Sequence, residues 1–193
     1  PAGNSDSASL DNVFELLTTS GHSAPLAKLM LIPDAWSKKS KVLPKEHLQL
    51  FNFLNSSMEP WDGPAAIAGT DNEWVIVASD RNGLRPMRYT VTKDKLLFAG
   101  SETGMIDINE KIIIEKGRLG PGEILGIRIE KGKIFRNTEI KNYLAKEYKH
   151  FNNQIIDLDK KFPIQNEKSL FEGVNLRERQ YLFGYSLEDL ELI

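Results

Sequence analysis

Between Ala65 and Arg136 the sequence breaks into short runs of β-forming residues separated by turn residues, and this texture limits the fold more than any other feature. Ala65 to Gly69, Trp74 to Ser79, Met87 to Thr92, Leu96 to Gly100, Lys111 to Lys116 and Ile124 to Ile129 each fit a strand, and Lys133 to Arg136 fits a further one. Thr70-Asp71-Asn72 and Glu130-Lys131-Gly132 are short enough to close antiparallel hairpins.

Helical patterns flank this region. From Ser9 onward Leu10, Val13, Phe14, Leu16 and Leu17 recur at helical spacing behind Ser5, Asp6, Ser7 and Ser9, all good capping types, and Gly21 closes the run. Pro25 to Ile32 forms a short apolar helix that stops before Pro33. A third begins near Pro44 and carries Leu48, Phe51, Phe53 and Leu54 toward Met58, and a charged one covers Glu139 to Lys149. Helices packed on antiparallel strands give an α+β layered domain, placed at residues 1–150. Residues 151–193 read differently: Asn152 to Lys168 is polar and aperiodic, as a linker is, and Asn175 to Phe183 is helical up to Gly184. Ser186 then caps another helix at Leu187.

The chain has 193 residues, 40% of them hydrophobic, enough for one sizeable core. Its 25 Lys and Arg nearly balance 27 Asp and Glu, so no global field draws it to nucleic acid or an anionic membrane, and a small molecule or another protein segment is the expected partner. No apolar run approaches the roughly 18 residues of a membrane span and Pro1 to Ser9 is no signal peptide, which makes the expected location cytoplasmic. Cysteine is absent, which removes disulfides, thiolate metal sites and thiol nucleophiles from this stretch. His22, His47 and His150 are too scattered for a histidine metal cluster, so no metal site is expected. The opening on Pro1, running straight into a helix, reads as cut from something longer.

Three segments could carry chemistry, and each also has a plain structural reading. Asp80-Arg81-Asn82-Gly83-Leu84-Arg85-Pro86 lies between two strands; it is either a decorated Asn-Gly turn or a fixed loop knit by charge-assisted hydrogen bonds. Gly3-Asn4-Ser5-Asp6-Ser7 puts one carboxylate in a serine-rich helix start, where Asp6 serves either as an ordinary cap or as the partner of an amino-acid ammonium. Met58 to Ala65, with two prolines, a glycine and Trp61, reads as a rigid connector around a buried tryptophan. Gly117-Arg118-Leu119-Gly120-Pro121-Gly122 is a turn and no phosphate cradle, because Pro121 lacks a donor and a strand follows.

In order along the chain, Ser5-Asp6-Ser7-Ala8-Ser9-Leu10-Asp11-Asn12, Glu15-Leu16-Leu17, Met30-Leu31-Ile32-Pro33-Asp34-Ala35-Trp36, Met58-Glu59-Pro60-Trp61-Asp62-Gly63-Pro64-Ala65, Asp80 to Pro86 and Lys116-Gly117-Arg118-Leu119 resemble the glutamate synthase family. The similarity is to its class II, N-terminal-nucleophile glutamine amidotransferase domain. Arg179 to Tyr185 with Glu188-Asp189-Leu190 is similar to the stretch opening that family's central domain. The Asp80 to Pro86 loop, Ser101-Glu102 and Pro121-Gly122-Glu123 have counterparts across class II amidotransferases, whereas the Met58 to Ala65 and Ile32 to Trp36 strings are particular to glutamate synthases. His22 and Asp34 depart from the usual arginine and glutamate, which reads as drift.

The resemblance implies the C-terminal half of a four-layer αββα sandwich, with 151–193 as linker and start of the next domain. It implies glutamine hydrolysis at an N-terminal cysteine, the ammonia then converting 2-oxoglutarate to glutamate. FMN and a [3Fe–4S] cluster, with NADPH, NADH or ferredoxin as electron donor, belong to the full-length enzyme and none to this segment. The nucleophilic cysteine and the Asn-Gly pair of the oxyanion hole lie upstream of the match, so no catalytic residue is expected here and Asn82-Gly83 is not that pair. Asp6 matches the aspartate that binds the ammonium of glutamine, with Ser5 and Ser7 as supports. Implied partners are glutamine or glutamate, the remaining domains of the same polypeptide and a small NADPH-oxidising subunit, with no nucleic acid or membrane. Two rivals are another class II amidotransferase and a non-catalytic glutamine- or glutamate-binding regulatory domain.

Overall fold

The computed structural model describes residues 3, 5–34, 43–149 and 176–185. The chain divides into two compact units, residues 1–155 and 156–193. The first contains α1 (Asp6–Thr19), α2 (Ala24–Leu31), α3 (Lys45–Ser57), β1 (Ala66–Thr70), β2 (Trp74–Ser79), β3 (Met87–Thr92), β4 (Leu97–Gly100), β5 (Ile113–Leu119), β6 (Ile124–Arg128), β7 (Lys133–Phe135) and α4 (Asn137–Glu147). The second contains α5 (Leu176–Leu182), closed at Gly184 by a bond from the Tyr185 N–H to the Gln180 carbonyl, as its sequence predicts. The Asn152 to Lys168 linker, the helix capped by Ser186 and Ala35-Trp36 lie outside the described residues.

All strand pairing is antiparallel, in two sheets ordered β1-β2-β6-β7 and β4-β3-β5. Period-two alternation sends Trp74, Ile76 and Ala78 to one face of the first sheet. There, with Ile124, they form one core with Leu29 of α2, Leu50, Phe51 and Leu54 of α3, and Ile140 and Leu144 of α4. Val77 and Leu125, on the opposite face, meet Met87 and Leu119 of the second sheet. The described residues therefore supply three layers, helix on sheet on sheet, of an α+β fold. The outer face of the second sheet, with Arg88, Ile114, Lys116 and Arg118, is exposed.

Apart from Lys28, α2 is apolar all round because it is buried from Ala24 through Leu29 and again at Leu31. Ser23 makes no capping bond, and the helix start is instead held by the β1–β2 turn: Ala24 N–H donates to Asp71 Oδ2, while Asp71 Oδ1 accepts from Glu73 and Trp74 at 2.6 Å each.

The largest departure from the sequence-based limits is β5, expected at Lys111 to Lys116 and found at Ile113–Leu119 after a 3₁₀ turn at Glu110–Ile112. Gly117 reads as a turn residue but sits mid-strand opposite Tyr89, whose ring lies where a side chain at 117 would be: a Cβ there would fall 2.3 Å from Tyr89 Cζ. Tyr89 Oη donates to Glu115 Oε1 at 2.9 Å, and Glu115 Oε2 pairs with Arg136, just past β7, which links the two sheets. Gly117→Ala should displace this ring and lower stability by about 1–3 kcal/mol in thermal or denaturant unfolding. An unchanged midpoint would show that the Tyr89 ring is free to move aside.

Candidate functional site

The chain passes from one sheet to the other at residues 80–86, between β2 and β3, and returns at 120–123, between β5 and β6. The two crossings touch. Gly122 N–H donates to the Asp80 carbonyl at 2.7 Å, and a Cβ on Gly83 would stand 3.0 Å from Pro121 Cγ. Gly83 and Gly122 have φ of +67° and +68°, the left-handed region that the Asn-Gly pair anticipated in the first crossing.

The Asp80 side chain organises the first crossing. Its Oδ1 accepts the N–H groups of Asn82 and Leu84, both at 3.0 Å, and its Oδ2 those of Ala65 at 3.2 Å and Arg85 at 2.9 Å. Burial pushes the Asp80 carboxyl up, but the four backbone donors outweigh it and hold the carboxyl below its ordinary value. The loop is thus knit by one carboxylate and its own main chain; among the described residues Arg81 and Arg85 form no ion pair.

Beneath both crossings lies a residue that the sequence reading passed over. Lys28, in the middle of α2 and 1% exposed, donates from Nζ to the Gly122 carbonyl at 2.8 Å. Burial pulls its pKa down to about 7; the Asp34 carboxylate opposes this, the Lys141 ammonium adds to it and the Asp80 carboxylate opposes it. Asp34 is itself paired with Lys141 of α4, and a Cβ on Gly122 would lie 3.1 Å from Asp34 Cα, so Asp34 belongs to this junction. The available signal was a lysine enclosed by apolar residues in Pro25-Leu26-Ala27-Lys28-Leu29-Met30-Leu31-Ile32, where a buried helix has no place for an unpartnered charge.

A cleft of about 470 Å³ opens beside the junction, bounded by Asp6, Ser7, Leu10, Asp11 and Phe14 of α1, by residues 64–69 leading into and along β1, by Lys28, Leu31 and Ile32, and by Arg85. α1 approaches β1 closely, since a Cβ on Gly69 would stand 2.7 Å from Phe14 Cζ. Ser5, not Asp6, caps α1: its Oγ accepts the Ala8 N–H at 3.3 Å and lies 3.2 Å from Ser7 Oγ. Asp6 is the first helical residue, exposed, and its carboxylate has no hydrogen bond or ion pair among the described residues. The structure thus brings Asp6, Ser7 and Arg85 to one cleft, keeps Ser5 at the helix end, and leaves Asp80, Arg81, Asn82, Gly83 and Pro86 outside its walls.

Trp61, expected to be buried, is half-buried; its N–H donates to the Leu31 carbonyl at 2.6 Å and ties the connector to the end of α2. A larger hollow of about 670 Å³ under residues 102–108, bordered by Arg88, Phe98, Met105 and Lys116, holds none of the sequence-predicted site residues. A cleft lined by small residues of β1 together with Asp6, Asp11, Lys28 and Arg85, groups of both charges, suits a small ligand that carries both charges.

Asp80→Ala would leave four backbone donors without their acceptor, and the expected loss is about 3 kcal/mol or more in unfolding experiments. Because the folded Asp80 carboxyl is lowered, its stabilisation is present above about pH 4, its unfolded range, and is lost as pH falls through the folded value. The acid-side slope of the unfolding midpoint should therefore flatten in Asp80→Asn.

Comparison with known proteins places these features in a family. The model of class II glutamine amidotransferases matches residues 1–153. The chain is 47% identical over 99% of its length to the glutamate synthase [NADPH] large chain of Azospirillum brasilense, covering 13% of that protein. It is 38% identical over 98% of its length to the same chain of Bacillus subtilis, and 36% identical over 98% to ferredoxin-dependent glutamate synthase 2 of Synechocystis, covering 12% of each. The chain thus spans about an eighth of the relatives it matches. With a match over residues 1–153 and the α+β layers, this chain belongs to the class II glutamine amidotransferase family.

Proposed function

We propose that this chain is part of the glutaminase domain of a glutamate synthase large subunit and that the cleft beside α1 holds glutamine. The observation that carries the reading is the position of Asp6: its carboxylate, free of protein partners among the described residues, lines a cleft of about 470 Å³, roomy enough for an amino acid. At the start of α1 the Asp6 carboxylate pairs with the α-ammonium of glutamine. Ser7 lines the same wall, and Ser5 supports Asp6 by fixing the helix start. The Asp80 to Pro86 loop serves as the frame that brings Arg85 to the cleft.

Hydrolysis of the glutamine amide needs an activated nucleophile and an oxyanion hole. The chain contains no cysteine, so that nucleophile is supplied by another part of the polypeptide, and the residues here bind and orient the substrate. The released ammonia would be used to convert 2-oxoglutarate to glutamate. NADPH and ferredoxin appear in the names of the relatives, and one of them, or NADH, would supply electrons. FMN and a [3Fe–4S] cluster would sit in other domains: without cysteine this chain cannot supply thiolate ligands to a cluster, and nothing in the cleft depends on either group. Residues 151–193 are read as the linker and the start of the central domain. The working partners are those domains and a small NADPH-oxidising subunit, in the cytoplasm; no helix among the described residues is long and apolar enough to cross a membrane.

Asp6→Ala in the full-length protein should raise KM for glutamine on the order of 30-fold or more, the loss of about 2 kcal/mol when a ligand ammonium is left without its carboxylate. Initial-rate measurement of glutamate release checks this, and an unchanged KM overturns the assignment of the cleft.

A further inference from the structure

We propose that Lys28 is a positioning residue for this cleft: through the Gly122 carbonyl its ammonium locks the two sheet-to-sheet crossings together and so holds the Arg85 main chain and the approach to β1 in the cleft that Asp6 also lines. The inference rests on the glutamine reading of the cleft.

The connection is continuous. Lys28 Nζ donates to Gly122 O at 2.8 Å, and Gly122 N–H donates to Asp80 O at 2.7 Å. Asp80 Oδ2 then accepts from Ala65 and Arg85, at 3.2 and 2.9 Å, and both of those residues line the cleft along with Lys28. Gly122 in the second crossing is therefore held through its carbonyl by α2 and through its N–H by the first crossing. A leucine or methionine at position 28 would fill α2 without the cost of burying an ammonium, but it would leave the Gly122 carbonyl without this donor and the turn held from one side only.

The charged groups whose fields act on Lys28 belong to the same junction, namely Asp34 just beyond α2, Lys141 of α4 and Asp80 of the first crossing, and Asp6, Asp11 and Arg85 face it across the cleft that all four line. Asp34 is engaged by Lys141 and Asp80 by four main-chain donors, so the Gly122 carbonyl is the group to which the Lys28 ammonium donates. With the Lys28 pKa near 7, the hold is strongest below neutrality and weakens as the ammonium loses its proton above it.

The test uses the full-length protein, with Lys28→Met, Lys28→Arg and Asp6→Ala assayed for glutamate release from glutamine between pH 6 and 9. Lys28→Met should raise KM about tenfold with kcat within about twofold, because the walls of the cleft are displaced and the reacting groups elsewhere are not. Lys28→Arg, which keeps a donor to Gly122, should recover most of the loss. In the unmodified enzyme KM should rise as pH passes about 7, whereas in Lys28→Arg that rise should vanish.

An unchanged KM in Lys28→Met beside a raised KM in Asp6→Ala overturns the role of Lys28 and leaves the cleft assignment standing. Unchanged KM values in both overturn the cleft assignment itself. A parallel fall in kcat and thermal stability that arginine does not rescue assigns Lys28 to packing alone and overturns the proposal. Should Lys28→Met fail to fold, the pH comparison decides: a KM that is flat through pH 7 in the unmodified enzyme overturns it.

Discussion

Four backbone donors on one buried carboxylate hold this domain in its arrangement. Two stacked antiparallel sheets require the chain to leave one and enter the other, and at each crossing the backbone gives up its ladder hydrogen bonds inside the protein. Asp80 accepts the N–H groups of Ala65, Asn82, Leu84 and Arg85 at the first crossing, and its own carbonyl accepts from Gly122 at the second. The ionised carboxylate has four lone-pair sites, the number needed, which is why an aspartate rather than an asparagine suits this position. Its acidity follows from the same geometry, since each of those bonds is made to the charged form.

The candidate site inherits its shape from that junction. Ala65 and Arg85 both donate their main-chain N–H groups to Asp80 Oδ2, so the approach to β1 and the backbone that carries Arg85 are held together. α1 is placed against β1 by the approach of Phe14 to Gly69, and this brings Asp6 to the same cleft. Recognition of a small zwitterion on such a frame depends on the separation of its charged groups, and a buried tie like Lys28 to Gly122 acts on that separation through the backbone of the second crossing. The proposed site divides labour between the exposed Asp6, assigned to the ligand, and the buried Asp80 and Lys28, assigned to the placement of the walls.

The helical side of the domain is built by ordinary apolar burial, with an exception at each end of α2. Its start is completed by Asp71 from the β1–β2 turn and its end by the Trp61 N–H on the Leu31 carbonyl. A short, fully buried helix has no solvent to satisfy its terminal groups, and both partners come from segments more than 25 residues away in sequence. The β1–β2 hairpin and the Met58 to Ala65 connector therefore position α2, and through it Lys28.

The amino-acid sequence by itself determined the elements and the family. The short β-forming runs Trp74 to Ser79 and Ile124 to Ile129 between turn residues, helical spacing from Leu10 to Leu17 and the Asn82-Gly83 turn are local patterns, and local patterns follow from backbone geometry and solvent exclusion within a few residues. The ordered strings around Asp6, Trp61 and Asp80 were equally legible. What tertiary structure decided were the features with partners far along the chain. Gly117 looks like a turn until Tyr89 is placed over it, Asp6 looks like a cap until Ser5 takes that role, and Lys28 looks like an intrusion in an apolar helix until the Gly122 carbonyl, 94 residues away, is brought to it. A buried polar group is explained only by its partner, and no periodicity in the sequence encodes a contact between separate crossings of two sheets.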